Sequence, residues 1–125
     1  MARILVAEDE RDIRELINFT LSFAGHEITQ AANGEEAVAK AQEVLPDLIM
    51  MDVRMPKLTG YEACRQMKDI ESVKDIPVVF LSAKGQDEEI ATGMEVGAID
   101  YILKPFAPDE LTQRITEILQ QINST

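Results

Sequence analysis

The chain has 125 residues, a formal net charge of −11, 46% hydrophobic residues and one cysteine. That length holds one domain with one core, and the apolar content excludes a disordered chain. The acidity argues against direct binding to nucleic acid or to an anionic membrane, and a lone Cys64 excludes an internal disulfide. No apolar run is long enough to span a bilayer and the N-terminus lacks a signal-peptide core, so the expected compartment is the cytoplasm.

In chain order, Ile4-Leu5-Val6-Ala7 reads as a buried strand that runs into Glu8-Asp9-Glu10. A helix follows with Ile13, Leu16, Ile17, Thr20, Leu21 and Ala24 on one face, and Gly25 stops it. His26, just beyond, is expected to be exposed. Glu27 to Ala31 mixes polar and apolar residues, as an edge strand does. Asn33 is placed to cap a helix carrying Ala37, Val38, Ala41, Val44 and Leu45, which Pro46 ends. Between Pro46 and Pro56 lies the central stretch, a short apolar run that delivers the carboxylate of Asp52 at its far end. A strand this apolar belongs in a parallel sheet covered on both faces.

Thr59 and Glu62 have capping-box spacing at the start of a third helix, which turns Tyr61, Cys64 and Met67 inward. Ile76 to Leu81 reads as a fourth strand ending at Ser82, with Pro77 near its start where a missing N–H is tolerated. Asp87 opens a short helix carrying Ile90, Ala91 and Met94 that ends at Gly97. Asp100 to Leu103 is a fifth strand ending at Lys104-Pro105. Pro108 begins a last helix that buries Leu111, Ile115, Ile118, Leu119 and Ile122. Strand and helix alternate throughout, which predicts one α/β domain over residues 1–125 of flavodoxin-like, doubly wound form. The expected sheet is parallel and five-stranded in order 2-1-3-4-5, with five helices and a ligand site at the strand ends between the first and third strands.

That order brings Glu8, Asp9 and Asp52 to one rim, with Ser82 and Lys104 arriving from the fourth and fifth strands. Three converging carboxylates repel, so one of them takes up a proton or the group holds a cation. A hard divalent ion such as Mg²⁺ (or Mn²⁺) resolves this, since it accepts carboxylate, water and phosphate oxygens. Asp52 can then attack an electrophilic phosphorus, and Lys104, Ser82 and nearby backbone N–H groups meet the charge on the phosphoryl oxygens.

The acidic pair Glu8-Asp9, Asp52 followed by Met55-Pro56 and Gly60, Ser82-Ala83, and Lys104-Pro105-Phe106 stand in order, each at a strand end. With them the chain resembles the receiver domain of two-component response regulators, chemotaxis-regulator-like, over essentially its whole length. The resemblance implies a switch, not an enzyme acting on other molecules. It implies that Asp52 accepts a phosphoryl group from a histidine kinase and later loses it to water. It implies Mg²⁺ bound by Asp9, Asp52 and the backbone carbonyl of Arg54, with Glu8 acting through water. Lys104 would pair with the phosphoryl group, Val53 and Ala83 would offer backbone contacts, and the Lys104–Pro105 peptide would be cis. Ser82 and Tyr101 would form the switch pair. Glu8 stands where Asp is commoner and Ser82 where Thr is frequent, and neither change removes the needed oxygen. Arg54 and Lys84, two residues past Asp52 and Ser82, would lie over the phosphoryl group and slow its hydrolysis.

Plain packing or solvation competes with each of these roles. Acidic strand ends are often only solvated, Tyr101 on a half-buried strand is often only packing, and Cys64 and the methionines read as core filler. Two other functions use related parts. A haloacid-dehalogenase-type aspartyl-phosphate hydrolase needs a second Asp where Arg54 stands, and a flavin-binding domain needs a hydroxyl-rich loop where Glu8-Asp9-Glu10 stands. An intermediate carrier in a phosphorelay remains an alternative to a terminal switch. Downstream, the surface of the fourth helix, fifth strand and fifth helix would dock a protein partner or output domain, either as a stand-alone receiver or as part of a longer chain. The segment from Asp87 to Val96 carries no Lys or Arg for a charged dimer face, which predicts a monomer, with a phosphorylation-dependent dimer as the alternative.

Overall fold

The computed structural model describes residues 2–83 and 87–123. Five strands, β1 (Arg3–Ala7), β2 (Glu27–Ala31), β3 (Leu48–Asp52), β4 (Val78–Ala83) and β5 (Asp100–Lys104), alternate with five helices. These are α1 (Arg11–Phe23), α2 (Gly34–Val44), α3 (Gly60–Lys68), α4 (Asp87–Glu95) and α5 (Pro108–Asn123). All neighbouring strands are parallel and their order is β2-β1-β3-β4-β5, the flavodoxin-like arrangement predicted from the alternation. No helix among the described residues is long and apolar enough to cross a membrane.

The side chains of the three inner strands alternate between two cores, as the two-residue strand period requires. Leu5, Ala7, Ile49, Met51, Val78 and Phe80 face α2 and α3, where Ala37, Ala41, Ala63, Cys64 and Met67 complete one apolar layer. Ile4, Val6, Leu48, Met50, Val79 and Leu81 face the other way and meet Ile17 and Leu21 of α1 and Leu111, Ile115 and Ile118 of α5. Every residue of β3 is buried, so the strand that carries Asp52 is the most enclosed of the five.

The caps explain where the helices begin. The Asn33 side chain accepts the backbone N–H of Glu36 at 2.9 Å, and Thr59 and Glu62 form the reciprocal capping box at the head of α3. Gly25 ends α1 with φ +98°, in the left-handed region that favours glycine.

Some expectations need correction. On α1, Leu16 and Ala24 are exposed, and the buried stripe narrows to Ile17 and Leu21 with Ile13 half-buried. This helix lies near the sheet edge and packs on α5, so a wide apolar face has nothing to cover its flank. On α4, Ala91 and Met94 are exposed, and the buried contact is Gly93. A Cβ at Gly93 would stand 2.7 Å from the Phe80 ring, so this helix seats itself by the lack of a side chain. Strand β4 starts at Val78 and runs through Ala83, because Ile76 is held in a turn by the Val73 carbonyl. His26 is half-buried, with Nδ1 accepting the Ala2 backbone N–H at 3.1 Å. Leu119 and Ile122 are half-buried, not buried.

Candidate functional site

The carboxyl ends of β1, β3, β4 and β5 lie side by side, and parallel pairing fixes which residues meet there. Register sets Asp52 beside Leu81 and Ala83 beside Lys104. Gly60 clears the approach at the base of the site. A Cβ there would lie 2.3 Å from the backbone oxygen of Asp52. The Gly60 N–H donates to the Val53 carbonyl at 2.9 Å, which ties the start of α3 to the loop after Asp52.

Carboxylate oxygens of Glu8, Asp9 and Asp52 all come within 4.8 Å of one another. Glu8 is fully buried, Asp52 is buried and Asp9 is exposed, so the group opens to solvent on one side only. The Lys104 ammonium donates to Asp52 at 2.9 Å and to Glu8 at 3.2 Å. Burial alone would lower the Lys104 pKa, but its hydrogen bond to Asp52 and the charges of Asp52 and Glu8 outweigh that and raise it. Glu8 is pushed up to about 7 by burial first and by the Asp52 charge second. Two donors work against that rise, the Glu10 N–H at 3.1 Å and Lys104. The site thus carries more negative charge than one ammonium neutralises, and every donor atom is a hard oxygen. That donor set suits a divalent cation of the Mg²⁺ type.

Most of the expected residues gather here. The Lys104–Pro105 peptide is cis. Ala83 shares a cleft with Lys104, Pro105, Phe106, Ile13 and Leu16. The two backbone amides that follow Asp52 are already engaged. The Val53 N–H is turned to the Leu81 carbonyl at 3.3 Å, and the amide that donates to the Asp52 carboxylate, also at 3.3 Å, belongs to Arg54. Tyr101 is half-buried and stands apart from the carboxylates, lining a groove with Asp100, Pro105, Phe106 and Arg114. Arg114 donates to the Tyr101 backbone carbonyl at 2.9 Å and pairs with Asp100 at 3.0 Å. Lys84 lies outside the described residues.

The sequence reading passes over one residue. Glu89, in the first turn of α4, accepts the Ser82 hydroxyl at 2.9 Å and the Arg54 guanidinium at 2.7 Å. Nothing in the sequence marks it. It sits in the acidic run Asp87-Glu88-Glu89, and acidic residues at a helix start are ordinary partners of the helix dipole. Its role follows only from the turn that aims its side chain back at the sheet.

The family model of the response regulator receiver domain matches residues 4–116. The chain is 42% identical over 118 residues to the phosphate regulon transcriptional regulatory protein PhoB of Pseudomonas aeruginosa, covering 94% of this chain and 52% of that one. Among solved structures it superposes on the chemotaxis response regulator CheY4 of Vibrio cholerae with a TM-score of 0.88 at 36% identity, covering 94% of this chain and 98% of that one. The receiver domain of NtrX from Brucella abortus gives a TM-score of 0.85 at 33% identity, covering 94% and 98%. The chain spans about half the length of the curated relatives it matches. PhoB is named a transcriptional regulatory protein, which runs against the expectation of no direct nucleic-acid binding. The matched residues, the 2-1-3-4-5 sheet and the acidic rim lead to one conclusion: this chain belongs to the response regulator receiver domain family.

Proposed function

We propose that Asp52 is the phosphoacceptor of this receiver and that its phosphorylation is the signal the domain passes on. The observation that carries the reading is the placing of Lys104 between the Asp52 and Glu8 carboxylates, at 2.9 and 3.2 Å. A half-buried ammonium held against two carboxylates is a preorganised cation at the point where phosphoryl charge would develop. Receiver domains work with histidine kinases, so the donor in the cell is a kinase phosphohistidine. In the transfer an Asp52 carboxylate oxygen forms a bond to phosphorus, and the bond from phosphorus to the donor nitrogen breaks. The electron pair of that bond stays with the donor imidazole.

Asp9, Asp52 and the Arg54 carbonyl would hold Mg²⁺, with Glu8 reaching it through water. A bound Mg²⁺ neutralises carboxylate charge and draws phosphoryl oxygens to the site. Lys104 takes another phosphoryl oxygen, the Ser82 hydroxyl and the Ala83 amide take the rest, and the Val53 amide joins them on leaving the Leu81 carbonyl. Ser82 and Tyr101 form the switch pair, biasing the surface of α4, β5 and α5 between two arrangements. A chain spanning about half of relatives named as transcriptional regulators fits a domain that controls an output region. Transcriptional control through such a region is the proposed readout. The domain turns over no separate substrate and works in the cytoplasm.

The test is incubation with Mg²⁺ and a small acyl-phosphate donor, read by intact mass. Wild type is expected to gain one phosphoryl group and Asp52→Ala none. Equal labelling of the two would overturn the assignment.

A further inference from the structure

The Ser82 hydroxyl has one hydrogen, and it points at Glu89, not at Asp52. The Arg54 guanidinium, from the loop after β3, also points at Glu89. The Glu89 side chain is only 12% exposed, so its bond to Ser82 is largely sheltered, while the Arg54 side chain that meets it from the other end is 73% exposed. Its backbone carbonyl accepts the Tyr61 hydroxyl at 2.8 Å, which ties this turn of α4 to α3. Tyr61 in turn meets Phe80 of β4 edge to face, with ring centroids 5.5 Å apart. One residue therefore joins the end of β4, the loop after β3, and α3.

We propose that Glu89 is a positioning residue, a carboxylate latch that occupies Ser82 and Arg54 while Asp52 is unmodified and yields both when Asp52 carries a phosphoryl group. The proposal rests on the reading of Asp52 as phosphoacceptor and deepens it. A phosphoryl group brings a charge of about −1.5 to −2 and several strong acceptor oxygens. It competes with Glu89 for the same hydroxyl hydrogen and the same guanidinium, and it repels the Glu89 carboxylate. No proton is transferred; the Ser82 hydroxyl changes its acceptor. Whatever the latch contributes to the unmodified state opposes the phosphorylation equilibrium by the same factor, and it slows uptake to the extent that Ser82 must leave Glu89 to meet the incoming phosphoryl group. Letting go of Ser82 and Arg54 removes two of the ties on the first turn of α4 and leaves the Tyr61 hydroxyl on the Glu89 carbonyl as the remaining one. The switch would thus begin at α4, with Tyr101 responding behind it.

The test measures the rate of phosphoryl uptake from acetyl phosphate with Mg²⁺ for the full chain, by intact mass. The variants are Glu89→Ala, Glu89→Gln, Ser82→Ala and the double variant Glu89→Ala with Ser82→Ala. Freeing a hydrogen bond to a charged group is expected to speed uptake by about tenfold in Glu89→Ala. Glu89→Gln keeps an acceptor for Ser82 without the charge, preserves the local packing, and is expected to fall between wild type and Glu89→Ala. In the Ser82→Ala background most of the gain from Glu89→Ala disappears, which a purely structural role would not produce. Uptake by Glu89→Ala and Glu89→Gln at the wild-type rate, or an equal gain with and without the Ser82 hydroxyl, overturns the latch while leaving Asp52 as phosphoacceptor. Absence of Asp52-dependent uptake in wild type overturns both.

Discussion

Phe80→Ala is expected to lower stability by about 3–5 kcal/mol, the range for emptying an aromatic site in a core that cannot collapse around it. Phe80 is 2% exposed, and its ring is gripped from several sides. A Cβ at Gly93 would stand 2.7 Å from it and one at Gly60 3.0 Å, so α4 and α3 have both been brought in as close as a bare backbone allows. Tyr61 meets the same ring edge to face. Neither helix can move inward to fill the space, since the glycines offer no side chain and the sheet is fixed by β3 and β5 on either side. Urea denaturation with an unchanged m-value and a lowered midpoint would show the loss. A change below about 1 kcal/mol would mean that the two helices repack, and that Phe80 is not what holds them.

Lys104→Met is expected to cut phosphoryl uptake by about 100- to 1000-fold, the usual result of removing one preorganised charge partner from a transfer site. Methionine keeps the aliphatic length of the side chain, so the change removes the ammonium and little else. The ammonium is the one cationic side chain in direct contact with both Glu8 and Asp52 among the described residues. Without it Asp52 and the incoming phosphoryl oxygens face each other with one fewer positive charge between them. The far-ultraviolet spectrum should be unchanged, because Lys104 closes a rim and supports no core layer. Uptake within a few-fold of wild type would show that Lys104 is a structural counter-ion only.

The fold was legible because its signals are strong and local. Short, wholly apolar strands such as Leu48–Asp52 separated by amphipathic helices leave few arrangements other than a doubly wound parallel sheet. Parallel register then carries Glu8, Asp9, Asp52, Ser82 and Lys104 to the same edge, so the site's membership could be read from strand ends alone. What could not be read is direction. The side chain of Glu89 turns back to the sheet, the Val53 amide turns to Leu81, and Tyr101 stays beside Arg114, none of which a linear pattern encodes. Hydrophobicity also misled on α1 and α4. An apolar residue at helical spacing is buried only where another element covers it, and Leu16 and Met94 have no such cover.

The proposed switch exists only if a cation-dependent acyl phosphate forms at Asp52. Its most direct measurement is the intact mass of the protein exposed to acetyl phosphate in Mg²⁺ and, in parallel, in excess chelator. The expected result is one added phosphoryl group in Mg²⁺ that hydroxylamine removes, as it does from an acyl phosphate, and no added mass in chelator. Equal labelling in chelator, or a product that resists hydroxylamine, would contradict it.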